Sequence, residues 1–376
     1  MPTSTDARGR SSPAGSILSR SAENRYFVHL GDATEPIAWM LNDGHKHVPK
    51  YIHRTLRHAV SHLRDGGWTF YVTWRLDTLP EVGPNVVAIV MGDEWARRPA
   101  YADQIAATFK CYGTSLPFGS RTPWQPSYFQ LLLWAKYFRT QIHRLPSTLD
   151  HLISRVRRWL VGHGPTAPVY DFPLGYGNQI DLSPRPITDR PFDLFFAGSV
   201  EHGRKPKWSP GSWIQNPKSV SRYRMIDALS DLARHKSAPR IKLSTTSEFA
   251  WNAVFYGKTN TEGLLDAETY SAHMMNSKIC LVPRGTSPET FRFFEALRYG
   301  CIPVTEALPS RWFYNDAPAL VVDDWSELGD LVPDLLSTPE RLETLHADAL
   351  DWWHRVCSEA AVGHYVADTL TRASSR

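Results

Sequence analysis

The chain has 376 residues, 42% hydrophobic and 21% charged, which excludes disorder, a coiled coil or a collagen-like fibre and makes two domains the natural division at about 150 residues each. Its 42 Lys and Arg against 38 Asp and Glu leave a net charge of +4, too small to mark a nucleic-acid binder by charge alone, while a pI near 8.8 permits an anionic ligand. Cys111, Cys280, Cys301 and Cys357 form no CxxC pair and no Cys/His cluster, which suggests neither a zinc site nor a disulfide framework and fits a reducing, cytoplasmic compartment.

Residues 1–24 are rich in Ser, Arg, Gly and Pro and contain no apolar core of a signal peptide, so they read as a flexible head. No run approaches the 18 or more apolar residues of a membrane span. β-type runs follow at Arg25–Leu30, Trp68–Trp74, Val86–Met91 and Ile105–Tyr112. Between and after them, Tyr51–Leu63 and Tyr128–Ile142 place apolar residues at near 3.6 spacing, as in Ile52, Leu56, Ala59 and Val60. Strand and helix alternate, which implies a parallel α/β layer. Between Gly162 and Pro191 the chain concentrates glycines and prolines, and the domain boundary is placed there.

A second alternation begins at once. Strands are predicted at Phe192–Ala197, Arg240–Ser244, Lys278–Val282, Ile302–Thr305 and Ala319–Val322, and helices at Ser221–Arg234, Ala267–Asn276 and Thr290–Tyr299. The expected organisation is a head (1–24), a first domain (25–180), a second domain (181–338) and a mostly helical tail (339–376) whose Trp352 and Trp353 require docking on the body. Loop Glu201–Val220, with four basic residues, three prolines and two tryptophans, follows a strand and is as compatible with a ligand crevice as with a surface insertion. The 14 Trp, 15 Tyr and 16 Phe could form sugar-stacking platforms, although aromatic residues more often fill a core.

The segment Ser277–Thr305, SKICLVPRGTSPETFRFFEALRYGCIPVT, carries the most chemistry. It reads strand, loop, helix, strand. Gly285 allows close backbone approach, Thr286, Ser287 or Thr290 can cap the helix, and free N–H groups at a helix start favour an anion. Arg284 adds a donor fork suited to phosphate. Arg292 and Glu295 share one helical face, where they could hold a diphosphate and a ribose diol or simply pair with each other. In the first half, Gly92-Asp93-Glu94 follows a strand. Carboxylates there can act as a general base or merely cap the next helix. Asp32, Asp43 and His45 lie in loops that could reach the same cleft. His29, His45, His47, His53, His58 and His62 lack an HExxH pattern and read as solvated or structural histidines.

The run CLVPRGTSPETFRFFEALRYGCIPV resembles the exostosin-type glycosyltransferase pattern, in which a strand ending in Pro-Arg-Gly leads to Arg-hydrophobic-Phe-Glu-Ala-Leu and then Gly-Cys-Ile-Pro-Val. Smaller bacterial members and the related ribitol-xylosyltransferase type are similar in Phe195-Phe196-Ala197-Gly198-Ser199, in Arg222 as a helix-start basic residue, in Phe172-Pro173-Leu174-Gly175-Tyr176 and in Gly92-Asp93-Glu94. Phe109-Lys110-Cys111-Tyr112 stands where these enzymes often have Arg-Asn-Tyr, which leaves Lys110 without an inherited role.

The resemblance covers about residues 85–330 and implies a GT-B fold, two facing Rossmann-like domains with a cleft between them. It implies an inverting, metal-independent glycosyltransferase that moves a sugar from a nucleotide diphosphate sugar, UDP-linked by resemblance, to a glycan or other hydroxyl acceptor in glycan or surface polysaccharide synthesis. No cofactor beyond the nucleotide sugar is implied. The implied donor-binding residues are Arg284, Gly285, Thr286, Ser287, Arg292, Glu295, Arg222, Gly198 and Ser199, with Glu94 or Asp93 as base and no metal ligand; Asp323-Asp324 reads as a surface acidic pair. The alternatives are a fucosyltransferase-like enzyme of the same shape, disfavoured by Pro288-Glu289-Thr290-Phe291-Arg292 where that family usually has Tyr-x-Thr-Glu-Lys, and a non-catalytic nucleotide- or carbohydrate-binding protein.

Overall fold

A computed structural model describes residues 23–37, 48–63, 66–115, 126–142, 153, 167–178, 180–200, 215–235, 238–246 and 265–374. Its first sheet contains β1 (Arg25–Leu30), β2 (Ala33–Pro36), β3 (Thr69–Thr73), β4 (Val86–Val90), β5 (Ala107–Lys110) and β6 (Val169–Asp171) in the order β2-β1-β3-β4-β5-β6. Every neighbouring pair is parallel except the β1/β2 hairpin. Strands β3 and β4 are buried at every position. That is why TFYVT and VVAIV read as unbroken apolar or β-branched runs: a parallel strand covered by helices on both faces has no solvent side to encode.

The second sheet contains β7 (Phe192–Ser199), β8 (Ile241–Thr246), β9 (Ser277–Val282), β10 (Ile302–Glu306) and β11 (Leu320–Val322), all parallel, in the order β11-β10-β9-β7-β8. Strand addition proceeds from β7 to β8 on one side and then to β9 on the other. The carboxyl ends of β7 and β9 therefore form a topological switch point, where open α/β sheets leave a crevice.

Helices α1 (Lys50–His62) and α2 (Tyr128–Ile142) belong to the first half; α3 (Pro217–Leu232), α4 (Ala267–Met275) and α5 (Phe291–Arg298) connect strands of the second. Helix α3 begins four residues before its expected start because Asn216 caps it, accepting from Ser219 N at 2.8 Å, and Pro217 occupies the first turn. Arg222 consequently lies inside the helix and not at its start. Helix α5 begins after Thr290, whose side chain makes no capping bond, and buries Phe293, Phe294, Ala296 and Leu297 on one face.

Helices α6 (Leu328–Leu336) and α7 (Pro339–Trp352), a π turn at Trp353–Cys357 and α8 (Glu359–Ser374) complete the chain. Helix α8 returns to the first half and packs on α1. Gly363 makes the approach possible, since an added Cβ would lie 2.6 Å from His58 Cβ and 2.8 Å from Thr55 O. Val362, Val366 and Leu370 are fully buried in this seam, each worth about 1.5–3 kcal/mol on transfer from water. Tyr51 seals it by donating to Cys357 O at 2.8 Å.

The two sheets meet at their carboxyl edges. Beyond β4, the Glu94 carboxylate accepts from Ser287 N, beyond β9, at 3.1 Å. Tyr112 O, beyond β5, and the carboxylate of Asp171, the last residue of β6, accept from Arg311, beyond β10. Strands β2 and β6 and helix α6 were not foreseen from sequence; the two strands have four and three residues, too short for a periodic signal. Among the described residues no helix is long and apolar enough to cross a membrane.

Candidate active site

At the switch point, Arg222 of α3 and Arg292 of α5 converge on the end of β7. Arg222 Nη1 donates to Ser199 O at 2.5 Å and to Ser199 Oγ at 3.2 Å, and Arg292 Nη2 donates to Ala197 O at 2.5 Å. Both guanidinium groups lie by the Phe196 ring, 5.9 and 4.8 Å from its centroid. Gly198 separates them: an added Cβ would stand 2.7 Å from Arg292 Nη2 and 3.6 Å from Arg222 Nη1. The close approach is that of Arg292 alone, since 3.6 Å is ordinary contact for Arg222. Arg222, Arg292, Gly198 and Ser199, distant in sequence, thus form one cationic cradle. The Arg292 Nε and Thr290 Oγ1 atoms beside it are buried without a hydrogen-bond partner.

The second part of the site is the loop 283–290 against the turn 92–98. Arg284 is almost fully buried and its Nη2 donates to Thr286 O at 2.9 Å. Burial lowers the Arg284 pKa, opposed by the nearby Glu306, Tyr137 and Glu94. Thr286 and Ser287 do not cap α5. Instead the Ser287 N–H and the Thr286 hydroxyl both reach the Glu94 carboxylate, and Ser287 Oγ accepts from Glu289 N at 3.3 Å. An added Cβ at Gly285 would touch only Ser287 O, at 3.5 Å. The packing of the chain against itself therefore leaves room at that residue.

Asp93 and Glu94 have different environments. Asp93 adopts φ = 73°, a left-handed conformation that Asp tolerates better than most residues. Its oxygens accept from Arg97 Nε at 2.7 Å and Arg97 N at 2.9 Å, with Lys110 Nζ at 3.3 Å. Lys110 is fully buried and also donates to the carbonyls of Asp93, Cys111 and Gly113. Lys110, left without an inherited role by the resemblance, ties the turn at Asp93 to the turn at 111–113. Glu94 instead points across the cleft. Burial pushes its carboxyl above the ordinary range, while the Ser287 and Thr286 bonds and the charges of Lys218 and Arg284 act against that rise. Asp32 is exposed and pairs with Arg75 at 3.4 Å; Asp43 and His45 lie outside the described residues, as do residues 201–214 of the basic loop.

Glu295 is not gathered with the arginines. Its Oε1 accepts from Gly177 N and Asn178 N, each at 2.9 Å, and its Oε2 from the Tyr270 hydroxyl at 2.7 Å. The residue is buried and ties the crossover after β6 to α5, and the ion pair with Arg292 suggested by spacing does not form. With one donor on Oε2 against two on Oε1, the carboxylate keeps one acceptor position open. Asp323-Asp324 is structural in part: Asp324 caps the turn Trp325–Glu327 and pairs with Arg224, and Asp323 Oδ1 accepts from Gln130 Nε2 of α2 at 2.7 Å. Among the described residues no group of three or more His, Cys, Asp or Glu is assembled as a metal site.

Two buried carboxylates escaped the sequence reading. Glu289 binds Arg311 through two bonds of 2.9 Å. Glu306, at the end of β10, accepts from Ser221 Oγ and from Trp325 Nε1 at 2.8 Å. The available signal was position alone: Glu306 closes an apolar strand, at the sheet edge where such folds bind ligands.

Residues 163–307 match the model of the exostosin GT47 domain. The matched segment, less than half of the chain, is similar to that domain. It contains Gly198, Ser199, Arg222, Arg284, Arg292, Glu295 and Glu306, and leaves Glu94 outside. Exostosin-1b of Danio rerio is 35% identical over 95 residues, which are 25% of this chain and 12% of that protein. The Exostosin-1 homolog of Caenorhabditis elegans is 39% identical over 79 residues, 20% of this chain and 19% of that protein. The chain thus matches less than a fifth of the length of either exostosin. Among solved structures, AviGT4, a glycosyltransferase involved in avilamycin A biosynthesis, aligns with a TM-score of 0.39 at 14% identity, covering 87% of this chain and 90% of that one. The GtfA/B complex aligns with a TM-score of 0.39 at 9% identity, covering 87% and 61%.

Proposed function

We propose that the protein is an inverting glycosyltransferase that moves a sugar from a UDP-linked donor to a hydroxyl of a glycan or related acceptor, in glycan or surface polysaccharide synthesis, without a catalytic metal. The exostosin segment supports the sugar-transfer class, and the arrangement of two parallel sheets edge to edge is what a GT-B enzyme requires. The observation that carries the reading is Glu94: a carboxylate from the first half, raised in pKa by burial, held across the cleft by the Ser287 N–H and the Thr286 hydroxyl of the exostosin segment.

In this mechanism the donor diphosphate lies at the Gly198 end of β7. Arg222 and Arg292 supply fixed positive charge there, so the developing charge on the leaving group is met by groups already oriented. Glu94 acts from the facing sheet. A base opposite the leaving group suits in-line displacement, and a raised pKa makes the ionised carboxylate a better acceptor for the hydroxyl proton. Asp93, committed to Arg97 and Lys110, shapes the turn that presents Glu94.

Glu94→Gln tests this. Transfer should fall by about 10²-fold or more, with UDP affinity by titration near parental and no loss on chelation in the parent. Parental turnover in the variant would remove Glu94 from the chemistry. A non-catalytic binding protein would bind UDP and hydrolyse no donor.

A further inference from the structure

Between α2 and the ends of β9 and β10 lies a small cavity of about 20 Å³, lined by Phe129, Leu133, Trp134, Arg284, Glu306 and Asp323 among others. Two of its lining groups are polar, buried and incompletely bonded: Glu306 Oε2 and Arg284 Nε have no hydrogen-bond partner. The other carboxylate oxygen of Glu306 is held by Ser221 Oγ and Trp325 Nε1. Neither Ser221 nor Trp325 lines the cavity, so Oε2 is the edge left for it. A buried acceptor and a buried donor without partners each cost stability unless something meets them.

Arg284 and Glu306 offset each other's burial as opposite charges, but that attraction fills neither open hydrogen-bonding position. Ser221 and Trp325 need one acceptor, which a neutral glutamine would provide without the cost of burying a charge. The second oxygen and the facing guanidinium remain to be explained. They lie in the right place for ligand recognition: Ser221, bonded to Glu306, is followed directly on α3 by Arg222, bonded to Ser199 at the proposed diphosphate position.

We propose that Glu306 reads the base of the donor, its Oε2 accepting the imide N–H of a uracil ring while Arg284 Nε donates to the adjoining carbonyl. This rests on the nucleotide-sugar reading above and makes its base specific. The count of hydrogen bonds selects the imide. One unpartnered acceptor and one unpartnered donor match a ring edge with one N–H and one C=O. The amino group of cytosine or adenine would bring a second N–H, for which Glu306 Oε2 is already engaged, and guanine would bring three.

The test is calorimetric titration of the full chain and of Glu306→Gln with three probes: UDP, N3-methyl-UDP and inorganic diphosphate. Methylation removes the one N–H that Glu306 would accept, and the glutamine keeps an acceptor for Ser221 and Trp325 while turning a donor toward the cavity. The parent should bind UDP about tenfold or more tightly than N3-methyl-UDP. Glu306→Gln should lose about that factor for UDP, cease to separate the two nucleotides and bind inorganic diphosphate as the parent does. A parent that binds UDP and N3-methyl-UDP equally overturns the assignment, and this arm decides the matter even if the variant does not fold. A folded variant with parental preference for UDP overturns it as well. Diphosphate binding without base discrimination would sink the role of Glu306 alone, whereas a parent that binds neither diphosphate nor UDP would remove the donor reading and this inference together.

Discussion

Arg311 and Glu94 both carry polar contacts from one sheet to the other, yet they are bonded in opposite ways. Arg311 is fully buried, with Nε and Nη2 on the Glu289 carboxylate, Nη1 on Asp171 at 2.6 Å and Nη2 also on Tyr112 O at 2.5 Å. All three nitrogens are used. Around Glu94, by contrast, Arg284 Nε and Glu306 Oε2 are buried with no partner. A saturated charge network fixes geometry, and a half-satisfied one at the same depth costs stability that a ligand can recover. The molecule thus places a rigid bridge and an incomplete site side by side on one interface, and the first holds the two halves in register for the second.

The largest effect should come from breaking the rigid bridge. Arg311→Met leaves Glu289 buried and uncompensated, and burial already raises the Glu289 carboxyl pKa with only the Arg311 and Lys110 charges opposing it. Unfolding in denaturant should show a loss of about 3–5 kcal/mol. A loss below about 1 kcal/mol would show that the bridge is not what holds the sheets together. Next, Asp93→Asn weakens the hold on Arg97 and Lys110 and should cost about 1–3 kcal/mol, sparing the specific activity of the folded fraction. Loss of turnover with full stability would instead move Asp93 into the chemistry.

On the incomplete side the order reverses, with small effects on folding and large ones on binding. Arg292→Ala removes one bond to Ala197 and a charge from the cradle; affinity for UDP should fall about tenfold or more with little change in melting temperature. Unchanged affinity would shift the diphosphate away from Gly198. The subtlest effect is in pH. Because the folded Glu94 carboxyl is raised above its unfolded value, its contribution to stability is fully present below the ordinary glutamate pKa of about 4.3 and is lost as pH rises through the folded value. Glu94→Gln should therefore gain stability relative to the parent across that window and hold the gain at neutral pH. The acid limb of parental transfer should sit above the ordinary carboxylate range for the same reason. An acid limb at the ordinary value would argue for a solvated base elsewhere.

Much of this was legible in one dimension. The run VVAIV read as a β-type run and is one, the spacing of Tyr128–Ile142 gave that helix its observed limits, and CLVPRGTSPETFRFFEALRYGCIPV marked strand, loop and helix in order. Local patterning decides such features because they depend on which neighbours along the chain share a face. The site was only partly legible. Arg284 and Glu94 were marked by residue type and strand-end position and Arg292 by its helix face, but nothing in the spacing of Arg292 and Glu295 tells that one turns to Ala197 and the other to Gly177 and Asn178.

What the sequence by itself determined is the alternation of strand and helix, the two α/β halves and the loops that can carry chemistry, because period and turn chemistry are properties of short segments. Only the tertiary structure decided which polar groups are satisfied. Asp93 and Glu94 are adjacent in the chain, yet one is closed off by Arg97 and Lys110 and the other opens toward Ser287, 193 residues away. Partners that distant are chosen by how the two sheets abut, and burial, which sets the cost of leaving Glu306 or Arg284 incompletely bonded, exists only once the sheets have met.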